Sequence, residues 1–233
     1  MLIRCGGIRR CEGAMSRSAT AVNLNNIPVS HSAILSIRAR ILEAAAEMFR
    51  SQGYDVSMDA IATAATVSKQ TLYNQFGSKE DLFKAMVADR AAAMRAPLNV
   101  SALEKHPRDM LADVARQYYS HACTPYELSY TRMIIGASQQ FPEIGEAYYE
   151  AGPKQILEAL TQWIGREERI GRLDTGGDPQ FAAEHFLGLI TARIETRGLL
   201  GLPVEMSPNE IERRSRFCAE IFMRAFGPEG LPR

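Results

Sequence analysis

Between Thr66 and Phe83 the chain reads TVSKQTLYNQFGSKEDLF, a run of hydroxyls and side-chain amides around one tyrosine and one early lysine. A helix face that only needs to be solvated would favour Lys and Glu, which are better helix formers than Ser, Thr and Asn. The residues found instead suit nucleic acid. Gln70, Asn74 and Gln75 carry amides that can pair bidentately with adenine, Thr71 can touch a thymine methyl, and Lys69 can reach guanine or phosphate. Ser68 can cap the helix that carries them, turning backbone N–H groups and the positive end of the helix dipole toward a phosphate. At about 100° per residue, Leu72 and Phe76 fall on one side of that helix, while Gln70, Tyr73 and Asn74 fall on the other.

The flanking sequence supplies the elements needed to hold that face. Ser57 can cap a short helix through Ile61 and Ala62, and only Ala65, Thr66 and Val67 separate it from the helix begun at Ser68, a helix-turn-helix spacing. Gly77 allows a left-handed cap, and Ser78-Lys-Glu-Asp81 starts the next helix with Lys79 placed for a phosphate. Upstream, Ile34, Ile37, Ile41, Ala44, Ala45, Met48 and Phe49 step by three and four along one stripe that Gly53 can end.

On these residues, ILEAAAEMFRSQGYDVSMDAIATAA and then VSKQTLYNQFGSKEDLF, the segment resembles the DNA-binding domain of the TetR family of transcriptional regulators. The resemblance implies that Ser68, Lys69, Gln70, Thr71, Tyr73, Asn74 and Gln75 lie on or beside the recognition helix, and that Ser57, Tyr73 and Lys79 meet phosphates. One departure stands out. The family usually has Gly where this chain has Thr66, and a left-handed backbone there would cost a β-branched residue about 1–2 kcal/mol.

The chain has 233 residues, 27 basic and 27 acidic side chains, and is 46% hydrophobic, ordinary for a globular protein of one or two domains. The charges are unevenly placed: residues 1–95 hold 12 Lys and Arg against 8 Asp and Glu, net +4, and residues 96–233 hold 15 against 19, net −4. A basic head on an acidic body suits a polyanion partner. No apolar run approaches a membrane span and the N-terminus has no secretory pattern, so a cytoplasmic location without membrane contact is expected. Cys5, Cys11, Cys123 and Cys218 lack the spacing of a zinc site or disulfide framework, and His106, His121 and His185 are scattered. No phosphate loop or nucleophile elbow is present. The expectation is therefore no metal, no cofactor and no enzyme.

Periodicity and capping predict an all-α chain in three parts: a basic arm over 1–31, of which the first 14 residues could precede the true start at Met15; a helix-turn-helix head over 32–95; and a helical ligand-binding and dimerisation domain over 96–233. Helices are expected near 33–52, 57–64, 68–75, 79–95, 107–122, 125–140, 143–166 with a break at Gly152-Pro153, 179–200 and 208–226. Capping boxes are read at Ser101–Glu104, Thr124–Glu127 and Ser207–Glu210, and Asp178-Pro179 gives a further start. Tyr118, Tyr126, Tyr130, Met133, Trp163 and Phe186 are candidates for lining an apolar ligand pocket. Leu187, Ile190, Ile194, Phe217, Ile221 and Phe222 give the last two helices apolar residues on more than one side. By resemblance, the same helices of a second subunit cover them. The resulting expectation is a homodimeric regulator released as a repressor from a palindromic double-stranded DNA operator by a small-molecule ligand. An all-helical protein interaction module that no longer binds DNA is the competing reading.

Overall fold

Hydroxyl and aspartate caps, some of them followed by proline, mark where many of the helices begin. The computed structural model describes residues 36–99, 105–204 and 206–228, apart from the side chains of Asn99 and Ala192. The arm expected over 1–31, the start of the 33–52 helix, Cys5, Cys11 and the capping box at 101–104 lie outside those residues.

Ten helices are found among the described residues, and no strand: α1 (Ile37–Gln52), α2 (Met58–Ala64), α3 (Lys69–Phe76), α4 (Lys79–Asn99), α5 (Pro107–His121), α6 (Pro125–Ala137), α7 (Pro142–Ala151), α8 (Pro153–Arg169), α9 (Pro179–Leu199) and α10 (Pro208–Phe226). Ser36, Ser57 and Ser68 each accept a hydrogen bond from the backbone N–H three residues on, at 3.2, 3.1 and 3.0 Å. Asp178, Thr124 and Ser207 do the same for α9, α6 and α10. The boxes at Thr124 and Ser207 close on one side only. The Glu127 carboxylate pairs with Arg90 and the Glu210 carboxylate pairs with Arg213 and Arg214, so neither returns to its own cap.

Helix α4 also departs from expectation. It runs past residue 95 and through Pro97, because Leu98, buried in the second apolar cluster, holds the last turn against α5. Proline removes a single ladder bond there, close to where the helix ends anyway. Two clusters of buried side chains result. The first joins α1–α4 around stacked and edge-on rings of Phe49, Tyr54 and Phe83, with centroids 5.5–5.7 Å apart, and takes Tyr130 and Ile134 from α6 and Ile144 from α7. The second joins α5, α8, α9 and α10 around Trp163, Phe186 and Phe222. Gly198 lets α9 meet α6 closely, since a Cβ there would stand 2.4 Å from the Leu128 side chain.

Thr66 has φ +55°, and among the described residues no other non-glycine residue has positive φ. The turn between α2 and α3 is thus left-handed, and the side chain sits at the one place where a glycine would be unstrained. Replacing Thr66 with Gly relieves that strain but adds unfolded-state entropy, for a net gain of about 0.5–1 kcal/mol. Urea unfolding of Thr66→Gly is expected to move to a higher midpoint at unchanged slope; a lower midpoint would show that the threonine is unstrained.

Candidate functional site

The exposed side of α3 follows from which of its residues the head must bury. Leu72 is fully buried and Phe76 nearly so, which turns Lys69, Gln70, Tyr73, Asn74 and Gln75 outward. Tyr73 is 39% exposed, so its ring stands on the outer side of α3. The outward groups occupy one another. The Gln70 amide donates to Asn74 Oδ1 at 2.7 Å, Lys69 pairs with Asp59 of α2 at 2.8 Å, and the Lys69 ammonium lies 6.0 Å from the Tyr73 ring centroid. Hydrogen bonding and charge from Asp59 raise the Lys69 pKa above its usual value.

Two of the sequence candidates are engaged inside the head. Thr71 is half-buried with its hydroxyl 2.8 Å from Ser68 Oγ. Lys79 donates to the Tyr54 carbonyl at 2.9 Å and stands 4.5 Å from the Tyr54 ring centroid, so it closes the α1–α2 turn as well as facing outward. Ser57, Asp59, Lys69, Tyr73, Ser78 and Lys79 together border a shallow open groove beside α3. It brings the three residues tied by resemblance to phosphate onto one surface.

A second site lies between α4, α5, α6, α7, α8 and α9: a cavity of about 360 Å³ with mainly apolar walls. Of the six residues considered for a ligand pocket, Tyr118 and Tyr130 line it. The others do not. Trp163 and Phe186 are completely buried in the second cluster, Met133 packs against the first, and Tyr126 lies 39% exposed outside the walls. The residues considered for a dimer surface also divide. Leu187 and Ile190 face the cavity, Ile194 is buried, and Phe222 meets Phe186 edge-on at 5.5 Å, so α9 and α10 spend those side chains on each other. Phe217 and Ile221 of α10 remain 60% and 37% exposed, joined by Phe181 of α9.

Sequence reading missed the polar groups of the cavity: Arg90, Glu127, Thr131 and Glu195. Arg90 pairs with Glu127, lies 4.8 Å from the Tyr130 centroid, and shares the Tyr126 ring with Arg50 of α1, the two guanidinium carbons being 5.2 and 5.3 Å from its centroid. Burial works against the Arg90 charge, but Glu127 outweighs it and leaves the guanidinium pKa raised. Tyr118 donates to Glu195 at 3.3 Å. Burial, helped by the Glu195 charge, lifts the pKa of Tyr118 far above the usual phenol range, burial does the same for Tyr130, and it raises that of Tyr148. The Cys123 thiol beside them is pushed up to about 12, again by burial first and Glu195 second. Cys123 and Cys218 are free and buried. Among the described residues no group of His, Cys, Asp and Glu could hold a metal, and no helix is long and apolar enough to cross a membrane.

Two family models match the chain. Residues 41–86 match the bacterial regulatory proteins of the tetR family, and residues 109–228 match the C-terminal domain of AefR-like transcriptional repressors. The HTH-type transcriptional regulatory protein RaaS of Mycobacterium tuberculosis is 40% identical over 158 residues, 68% of this chain and 69% of its own. Among solved structures, a TetR-family regulator from Mesorhizobium loti superposes with a TM-score of 0.70 at 28% identity, covering 82% of this chain and 96% of that one. The flavonoid-responsive regulator FrrA superposes with a TM-score of 0.66 at 31% identity, covering 83% and 98%.

The buried phenols set a pH dependence. A phenol whose folded pKa is raised stays protonated in the native state while the unfolded chain ionises near pH 10, so the native state holds more protons there and stability falls as pH rises. Tyr118, Tyr119, Tyr130 and Tyr148 all contribute in this direction. Melting temperatures are expected to decline above about pH 10, and Tyr118→Phe to decline less steeply; equal slopes would show that Tyr118 ionises freely in the fold.

Proposed function

The chain belongs to the TetR family of DNA-binding transcriptional regulators, and on that premise we propose that it is a homodimeric repressor released from a palindromic operator by a small molecule. The observation that carries the proposal is the pairing of an outward amide-rich face on α3 with an internal cavity whose polar groups run back toward the DNA-binding head. Gln70, Asn74 and Gln75 are assigned to base edges, and Ser57, Ser68, Lys69, Thr71, Tyr73 and Lys79 to phosphate contact and to positioning the helix in the major groove. Two such heads about 34–36 Å apart engage successive major grooves. Phe181, Phe217 and Ile221 are the apolar residues that α9 and α10 leave for a second subunit.

Release follows if the ligand binds more tightly to a dimer whose heads are wrongly spaced. The contact that couples cavity to head is the Tyr126 ring between Arg50 and Arg90. Arg90 lines the cavity, Tyr126 is on α6, and Arg50 closes α1. Displacing Arg90 shifts the ring against the helix that packs on α2 and α4. The description of FrrA as flavonoid-responsive supports an aromatic-bodied ligand for a cavity walled by Tyr118, Tyr130 and Tyr148.

Tyr73→Ala is expected to weaken binding to operator and unrelated DNA alike, whereas Gln70→Ala relaxes discrimination at particular base pairs by about 1–3 kcal/mol. Binding titrations against a panel of single-base operator variants separate the two; uniform loss for Gln70→Ala contradicts its role in reading bases. Tyr126→Ala should leave ligand-free operator affinity nearly unchanged while reducing ligand-induced release by about fivefold or more. Full release in that variant would place the coupling elsewhere.

A further inference from the structure

One carboxylate in the cavity has no countercharge. The charged residues lining it are Arg90, Glu127 and Glu195, one guanidinium against two carboxylates, with His121 held through Nδ1 to the Gln117 carbonyl at 3.2 Å. Arg90 and Glu127 neutralise each other and Arg90 further engages the Tyr126 and Tyr130 rings. Among the described residues Glu195 makes no ion pair, and it accepts a hydrogen bond from the neutral hydroxyl of Tyr118 at 3.3 Å. Glu195 is half-buried, and a carboxylate partly shielded from water whose hydrogen bond comes from a neutral phenol lacks a countercharge. Apolar walls and the side chains of Tyr118 and Tyr148 surround the same space.

We infer that the cavity takes an organic cation on an apolar, aromatic body, with its charge held by Glu195 and by the rings of Tyr118 and Tyr148. The inference rests on the cavity being the ligand site and adds the charge class of what enters it. A cation brings the missing countercharge and gains attraction to the aromatic rings beside it. An anion would meet Glu195 with the one lining guanidinium already committed to Glu127. A neutral body of the same shape gains apolar contact alone.

Tetraphenylphosphonium and tetraphenylborate have one shape and opposite charge, so calorimetric titration of the full chain with each reads the preference directly. The phosphonium is expected to bind about tenfold or more tightly than the borate, and Glu195→Gln to weaken the phosphonium by about tenfold without weakening the borate. Matching melting curves for wild type and Glu195→Gln establish that the variant is folded. Leu187→Trp, which projects an indole into the cavity, should weaken binding of both ions by about tenfold or more. Borate preference, or phosphonium affinity unchanged in Glu195→Gln, overturns the cation inference; if Leu187→Trp still weakens that binding, the cavity stands as a ligand site. Binding of neither ion, or binding that Leu187→Trp leaves intact, overturns the cation inference and the ligand cavity together.

Discussion

Helix α4 has to belong to two hydrophobic clusters at once. Leu82, Phe83, Met86 and Val87 are buried with the helices that hold α3, while Leu98 is buried with α5, α8, α9 and α10. Between those ends, Val87, Arg90, Ala91 and Met94 form one wall of the cavity. Close-packed interiors shift between discrete arrangements rather than bending continuously, so a body wedged against that wall moves a helix whose other end fixes the head. On the proposed reading, the two buried ends of α4, with Arg90 between them, link sensing to DNA binding.

The head itself is built to exchange partners. Lys69 with Asp59 and Gln70 with Asn74 are exposed pairs, and such pairs are individually worth about 1 kcal/mol or less. They hold side chains in place at small cost, which suits the proposed exchange for phosphate or base edges. The buried residues beneath, Leu72 above all, keep the backbone of α3 rigid while its outer side chains change partners. The left-handed Thr66 fixes the angle between α2 and α3 at the expense of some strain, acceptable because the turn must deliver both Leu72 and Phe76 to the core.

Local chemistry made most of the elements readable in the sequence. Ser57, Ser68, Thr124, Asp178 and Ser207 begin helices within one residue of where their caps indicate, and Leu72 opposite Tyr73 fixed the orientation of α3. Pro97 was misleading because a proline argues for a break, and only the burial of Leu98 shows why the helix continues. The cavity was less legible. An apolar stripe tells which side of a helix is covered, not whether core or empty space covers it. Trp163 and Phe186 therefore looked like pocket residues and are core, whereas Leu187 and Ile190 looked like a subunit surface and face the cavity. Glu127 looked like a cap partner, yet its carboxylate answers Arg90 from 37 residues along the chain, a pairing with no local signature. Glu195 and Tyr118, 77 residues apart, are hidden for the same reason.

A two-fold assembly that reads specific DNA must hold on to fragments sharing a symmetric element. The most direct measurement incubates the purified full chain with sheared genomic DNA at moderate salt, recovers the bound fragments and sequences them. A small enriched set is expected, sharing an inverted repeat whose half-site centres lie about one helical turn, or a small number of turns, apart. Recovery of all sequences in equal measure would contradict it, leaving a head that meets phosphates but reads no bases.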